Sequence, residues 1–271
     1  MSETATPRTP RFVPPPGTCD AHCHVFGPDG RNPQFSAARL AAMHRSLGIA
    51  RCVIVAADGN RATLDAIAAG GGRYRGVAVV GDDATDKDLR ALHEGGFRGV
   101  RFTFVQHLGG APDFDVVRRV LERVAPLGWH LTLLLDPADL LRHLDFLRAI
   151  RLPVVIDHMG RMRANEGVAQ PAFAVLLDLL KRDNVWVKVS GPERVSTAGA
   201  PYYDAVPYGQ ALIAAAPDRV IWGTDWPHLN LASGPADDAG LLDLVPLIAP
   251  DVAQRQRLLV DNPARLYGFA S

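Results

Sequence analysis

The chain has 271 residues, with 29 basic and 29 acidic side chains and a formal net charge of zero. That balance argues against a general nucleic-acid binder, which carries a basic surplus, and the length suits one barrel of about 250 residues. Three cysteines, Cys19, Cys23 and Cys52, are too few for a disulfide framework and point to a reducing, cytoplasmic setting.

Residues 1–17 are rich in Pro and Thr and read as a flexible N-terminal arm, with residues 18–271 as one catalytic domain. The arm has no apolar run to serve as a signal peptide. No segment approaches the roughly 18 consecutive apolar residues of a membrane span. Eight β-rich runs follow, at Thr18–Val25, Arg51–Ala57, Arg75–Val80, Arg98–Phe104, His130–Leu135, Pro153–Met159, Val185–Ser190 and Arg219–Asp225. Several, such as RCVIVAA and HLTLLL, are almost wholly apolar, the pattern of strands buried on both faces of a parallel sheet.

Helical spacing fills the intervals. Asp113–Leu127 puts Phe114, Val117, Leu121 and Val124 on one face, and Gly128 follows as a stop. Pro137–Ile150 does the same with Leu140, Leu141, Leu144 and Leu147, and Pro137 suits a first turn. Ala172–Lys181 and Tyr203–Ala216 repeat the pattern. Strand and helix alternating eight times predict a (β/α)8 barrel in preference to an open doubly wound sheet. No GxGxxG follows the first strand.

Barrel chemistry sits at the C-terminal strand ends. The first strand ends in Asp20-Ala21-His22-Cys23-His24. Alternation points His22 and His24 the same way, where they can grip a metal or a carbonyl, and turns Cys23 towards packing. The sixth ends in Asp157-His158-Met159-Gly160-Arg161, and the eighth in Gly223-Thr224-Asp225-Trp226-Pro227-His228. A carboxylate directly after VIWG is expensive to bury unless paired or functional. First and last strands are neighbours in a closed barrel, so Asp225 should lie beside His22 and His24, with His158 across a small mouth. Convergence of these four groups is a candidate active site. Arg101, Arg161 and Arg194 follow strands four, six and seven, and their forked guanidinium groups suit a substrate carboxylate.

The strings AHCHVFGP, GVRFTF, DHMGR, VWVKVSGPERV, VIWGTDWPH and VDNPARLYGF together resemble the amidohydrolase superfamily, and within it the 2-pyrone-4,6-dicarboxylate lactonase branch, from about Arg11 to Phe269. The resemblance implies a distorted (β/α)8 barrel that hydrolyses a lactone. Asp225 would activate water, His22, His24 and His158 would polarise the carbonyl, and Arg101, Arg161 and Arg194 would hold carboxylates. It also implies no metal or other cofactor, and a small anionic lactone as the partner, without nucleic acid or membrane.

The chain departs from that pattern. Val105-Gln106-His107 stands where the branch has a further arginine, and Leu134 where it has a tyrosine. The segments Ala56–Asn60 and Gly27–Ser36 are short and lack other contacts. His107 and His228 complete the expected substrate set, although His228 could instead orient Asp225. The reduced clamp favours a lactone other than the pyrone dicarboxylate. Two alternatives share the barrel. One is a galactarolactone-type sugar-acid lactone isomerase or lactonase. The other is a hydrolase or decarboxylase with a single zinc on His22, His24 and Asp225, although the fifth strand ends in Leu133-Leu134-Leu135-Asp136 without a histidine ligand.

Overall fold

The computed structural model describes residues 8–231 and 234–270. Eight strands, β1 (Cys19–Cys23), β2 (Arg51–Val55), β3 (Tyr74–Ala78), β4 (Phe97–Thr103), β5 (His130–Leu134), β6 (Val154–Ile156), β7 (Val185–Val189) and β8 (Val220–Trp222), form one sheet in chain order. Each pairs in parallel with the next. The ring closes just beyond the strand ends, where His24 N–H donates to Trp226 O and Asp225 N–H to His22 O, both at 2.8 Å. The expected distorted (β/α)8 barrel is the observed fold.

Two strands end earlier than their apolar runs suggested. β6 stops at Ile156 and β8 at Trp222, short of Met159 and Asp225. The reason is backbone conformation. His158, Met159, Arg161 and Asp225 have φ of 50°, 55°, 52° and 64°, a left-handed region in which no strand continues. The expected helix Pro137–Ile150 is broken at His143 (φ −110°, ψ 22°) into Pro137–Arg142 and Leu144–Ala149. The His143 ring packs 5.3 Å from Phe104 and 5.1 Å from Phe114, which occupies the break. Phe114–Val124 runs into a final tight turn that stops at Gly128, φ 67°, as expected.

An apolar layer fills the space between sheet and helices. A second cluster of Ala21, Val53, Val55, Val77, Val155, Trp186 and Ile221 packs with Tyr267 and Phe269. The Tyr267 ring lies 5.1 Å from His130, at the N-terminal start of β5. Of the expected arm, residues 1–7 lie outside the described residues. From position 8 it is tied to the C-terminal region, with Arg8 2.8 Å from both Asp237 and Asp243. The backbone N–H groups of Arg11 and Phe12 donate to Asp243 Oδ1 at 2.7 and 2.9 Å.

The β1–β2 register slips between Asp20 and Cys23. Asp20 and His22, two residues apart, therefore turn to different sides: Asp20 meets His44 of the helix Ala37–Leu47, and His22 meets Lys188 of β7. Asp20 is fully buried and accepts four hydrogen bonds: from His22 N–H (3.1 Å), Thr224 N–H (2.9 Å), Thr224 Oγ1–H (2.6 Å) and His44 Nε2–H (3.0 Å). One carboxylate thus joins β1, the chain after β8 and the first helix. Its removal leaves buried donors and a buried cation unpaired. We expect Asp20→Ala to destabilise the fold by about 3–5 kcal/mol, read as a lower urea midpoint at unchanged slope. A loss below about 1 kcal/mol, the scale of an exposed ion pair, would show that the seam is held elsewhere.

Candidate active site

Above that seam, four functional groups meet around one oxygen. Asp225 Oδ1 lies 3.5 Å from His22 Nε2, 3.6 Å from His24 Nε2 and 3.7 Å from His158 Nε2. The expected convergence of β1, β6 and β8 ends is observed. The left-handed φ of His158 and Asp225 aims both side chains inward at positions where an extended backbone would carry them past the centre. Gly223 makes room for the approach: a Cβ there would sit 2.6 Å from His22 N.

Each imidazole is oriented from behind. His24 Nδ1 lies 2.7 Å from the Val55 carbonyl oxygen, which only accepts, so Nδ1 carries a proton, and in the Nδ1–H tautomer Nε2 holds a lone pair. His158 Nδ1 is 2.9 Å from Ser190 Oγ. His22 Nδ1 is 3.1 Å from Lys188 Nζ and 3.2 Å from Asp157 Oδ1. Burial, reinforced by Lys188, pushes the His22 pKa down to about 3. Burial likewise holds His158 well below the ordinary histidine range. Asp225 moves the opposite way from a simple buried acid. Burial opposes its charge, but His158, His24 and Arg194 together hold its pKa well below the carboxylate range. The resting site is therefore an ionised carboxylate among neutral rings at His22 and His158.

A cavity of about 640 Å³ opens above this cluster, and His24, His158, Asp225, Arg101, Arg161, Arg194, His107 and Leu134 all line it. The three expected arginines thus share one cavity, and each also has a protein carboxylate. Arg194 Nε is 2.6 Å from Asp225 Oδ2, Arg161 Nε 2.6 Å from Asp136 Oδ1, and Arg101 Nε 3.1 Å from Asp157 Oδ2. His107 is exposed at the rim.

His228 is placed differently from the other candidates. It is buried behind the cavity wall, with Nε2 2.9 Å from Asp238 Oδ1 and Nδ1 3.6 Å from Glu193 Oε1. Burial lowers its pKa, but the two carboxylates overcome that and raise it to about 10. It is a cation locked in a carboxylate pair and does not line the cavity.

Three residues at the site went unassigned in the sequence. Asp157 and Lys188 are both fully buried and 3.2 Å apart, and Ser190 backs His158. Burial opposes ionisation of Asp157, yet Lys188, His22 and Arg101 hold its pKa well below the usual range. Lys188 had a legible signal: it is the one charged residue in the apolar run VWVKV, where a lysine survives only with a partner.

Among the described residues, His22, His158 and Asp225 offer ligand atoms within 4.8 Å of one another, and His24 adjoins them. Separations of 3.3–3.7 Å between these donor atoms are close to the edges of a tetrahedron around a zinc at about 2.1 Å. The donor set therefore fits one zinc. Leu134 provides no further ligand on β5.

The amidohydrolase family profile matches residues 19–269. The chain is 43% identical to a 2-pyrone-4,6-dicarboxylate hydrolase of Comamonas testosteroni, over 97% of this chain and 94% of that protein. It is 40% identical to a 4-sulfomuconolactone hydrolase of Rhizobium radiobacter, over 95% and 92%. The apo crystal structure of an Agrobacterium tumefaciens protein, 30% identical, superposes with a TM-score of 0.82 over 96% of this chain and 99% of that one.

The buried histidines predict how stability depends on pH. His22 and His130 have folded pKa values of about 3, below the unfolded value of about 6.5. The unfolded chain therefore takes up more protons as pH falls below about 6.5, and stability declines towards acid. His44 is raised to about 10, Asp20 and Cys52 outweighing its burial, and His228 also to about 10. Their contribution is complete below about pH 6.5 and is lost as pH rises towards about 10. Thermal midpoints should peak near pH 6.5, and His228→Asn should flatten the alkaline side. A wild-type midpoint constant from about pH 7 to about pH 10 would contradict the buried cations.

Proposed function

This chain belongs to the amidohydrolase family, and from that membership we propose that it opens a carboxylate-bearing lactone by hydrolysis. The observation that carries this reading is the single oxygen Asp225 Oδ1 facing three imidazole Nε2 atoms at 3.5–3.7 Å, with Asp225, His24 and His158 lining a cavity that three arginines share and His22 buried beneath them. The substrate carboxylate rests on Arg101, Arg161 and Arg194, which presents the ring carbonyl to the cluster. Asp225 takes a proton from water, and the hydroxide attacks the carbonyl carbon. His22 and His158 stabilise the oxyanion as hydrogen-bond donors. His24 Nε2, 3.3 Å from His22 Nε2, orients that ring. Collapse of the tetrahedral intermediate breaks the ring C–O bond, and the proton held by Asp225 goes to the departing oxygen.

Arg194 gives this mechanism a substrate-sensitive element. At 2.6 Å from Asp225 Oδ2 it stabilises the carboxylate and weakens it as a base. A substrate carboxylate that draws on the same guanidinium restores basicity when the water needs it.

If a zinc binds, His22, His24, His158 and Asp225 would hold it, and it would supply a Lewis acid and an acidified water. We favour metal-free hydrolysis because two cations, Lys188 and Arg194, already lie against His22 and Asp225 at 3.1 and 2.6 Å. Activity should survive exhaustive chelation. Loss of activity that stoichiometric zinc restores would reverse this conclusion.

The activity itself is tested with neutral, singly charged and doubly charged lactones, following ring opening by proton release and product NMR. Leu134 and rim-exposed His107 supply fewer polar contacts than a tyrosine and an arginine would, so singly charged lactones should outperform the pyrone dicarboxylate. Asp225→Asn should lower kcat by about 10²–10⁴ while the fold is retained. Preference for neutral lactones, an isomerised lactone as product, or an Asp225→Asn variant within about tenfold of wild type would each refute the proposal.

A further inference from the structure

We infer that Lys188 is a positioning residue that decides which ring nitrogen of His22 carries the proton; its catalytic consequence rests on the hydrolase reading above. Two groups compete for His22 Nδ1. Lys188 Nζ, a donor, lies at 3.1 Å in hydrogen-bonding geometry, and Asp157 Oδ1, an acceptor, lies at 3.2 Å in ion-pair contact. All three side chains are fully buried, so water does not arbitrate.

The far side of the ring settles the competition. His22 Nε2 lies 3.3 Å from His24 Nε2. His24 has a proton on Nδ1, committed to the Val55 carbonyl at 2.7 Å, and in that tautomer Nε2 turns a lone pair towards His22. If His22 carried its proton on Nδ1 and donated it to Asp157, two lone pairs would face each other across 3.3 Å in a buried site, an unmade hydrogen bond of the costly kind. With Lys188 donating to Nδ1, His22 carries its proton on Nε2 and donates it to His24. Donors and acceptors then alternate without conflict from Lys188 through His22 and His24 to Val55. Asp157 still has work: it is the counter-ion of Lys188 at 3.2 Å and of Arg101 at 3.1 Å.

Lys188 thereby delivers a His22 N–H to the centre of the cluster, the form required to stabilise an oxyanion. A zinc on His22 Nε2 requires the opposite tautomer, with Nδ1–H on a carboxylate partner. The lysine thus biases one and the same set of side chains towards hydrogen-bond catalysis and away from metal ligation.

The test is 15N NMR of histidine-labelled protein as purified, with His22 assigned by comparison with His22→Gln. Wild type should show His22 protonated on Nε2 and bare on Nδ1. Lys188→Met should invert the two, and Lys188→Gln, which keeps a side-chain N–H donor, should restore the wild-type pattern. In kinetics, Lys188→Met should lower kcat by about 10²–10³, the loss typical of one oxyanion donor, with KM changed less than about threefold, because the residue does not touch substrate. A wild-type His22 that is protonated on Nδ1, is metal-bound at Nε2, or lies beside a doubly protonated His24 would overturn the inference, whether or not the variants fold. An unchanged tautomer in folded Lys188→Met would overturn it too. The NMR pattern needs no substrate, so failure to turn over any lactone would remove the hydrolase reading alone.

Discussion

The candidate active centre depends on a carboxylate that has no part in the proposed chemistry. Asp20 collects four hydrogen bonds from β1, the chain beyond β8 and the first helix, and so holds the one seam of the barrel not closed by regular strand pairing. The register slip beside it turns His22 into the barrel interior. The same seam sets Gly223 so close to His22 that a side chain has no room, and it brings Asp225 N–H to the His22 carbonyl at 2.8 Å. The distance between the proposed base and its histidines is thus fixed by backbone, before any side-chain contact is counted.

With that geometry fixed, the site has to carry several charges in a low-dielectric interior, where an isolated ion would instead be neutralised. The molecule solves this in two layers. The lower anion, Asp157, sits between Lys188 and Arg101. The upper anion, Asp225, is held by Arg194. The histidines between the layers, His22 and His158, are pushed neutral by burial. That division keeps His22 and His158 as directional hydrogen-bonding groups rather than diffuse charges.

Much of this was legible in the chain, and the failures have physical causes. The eight apolar runs gave the barrel because parallel strands bury both faces. Barrel closure alone put Asp225 beside His22 and His24. The ends of β6 and β8 were over-extended because apolar content does not report φ, and His158 and Asp225 sit in left-handed conformations that tertiary contacts impose. Alternation alone would put Asp20 on the side of His22, but a one-residue slip separates them. His228 looked like a cavity residue because it follows Asp225 closely. Its partners Glu193 and Asp238 come from elsewhere in the chain, and no local pattern announces them. Lys188 was the readable exception, a lone charge in a buried strand.

The arginines show why charge selectivity should appear in turnover as well as in binding. Arg101, Arg161 and Arg194 each already contact a protein carboxylate. A substrate carboxylate therefore exchanges one ion pair for another, and such an exchange gains little net affinity in a partly buried site. Its effect lies in what the exchange releases. In the proposed mechanism, drawing Arg194 towards substrate loosens its hold on Asp225 and raises the basicity of that carboxylate. A neutral lactone of the same shape can occupy the cavity but leaves Arg194 on Asp225, with the base still suppressed. Discrimination of this kind uses substrate binding energy to change the state of a catalytic group, and so affects kcat as well as KM. An arginine that only captured substrate would act on KM alone.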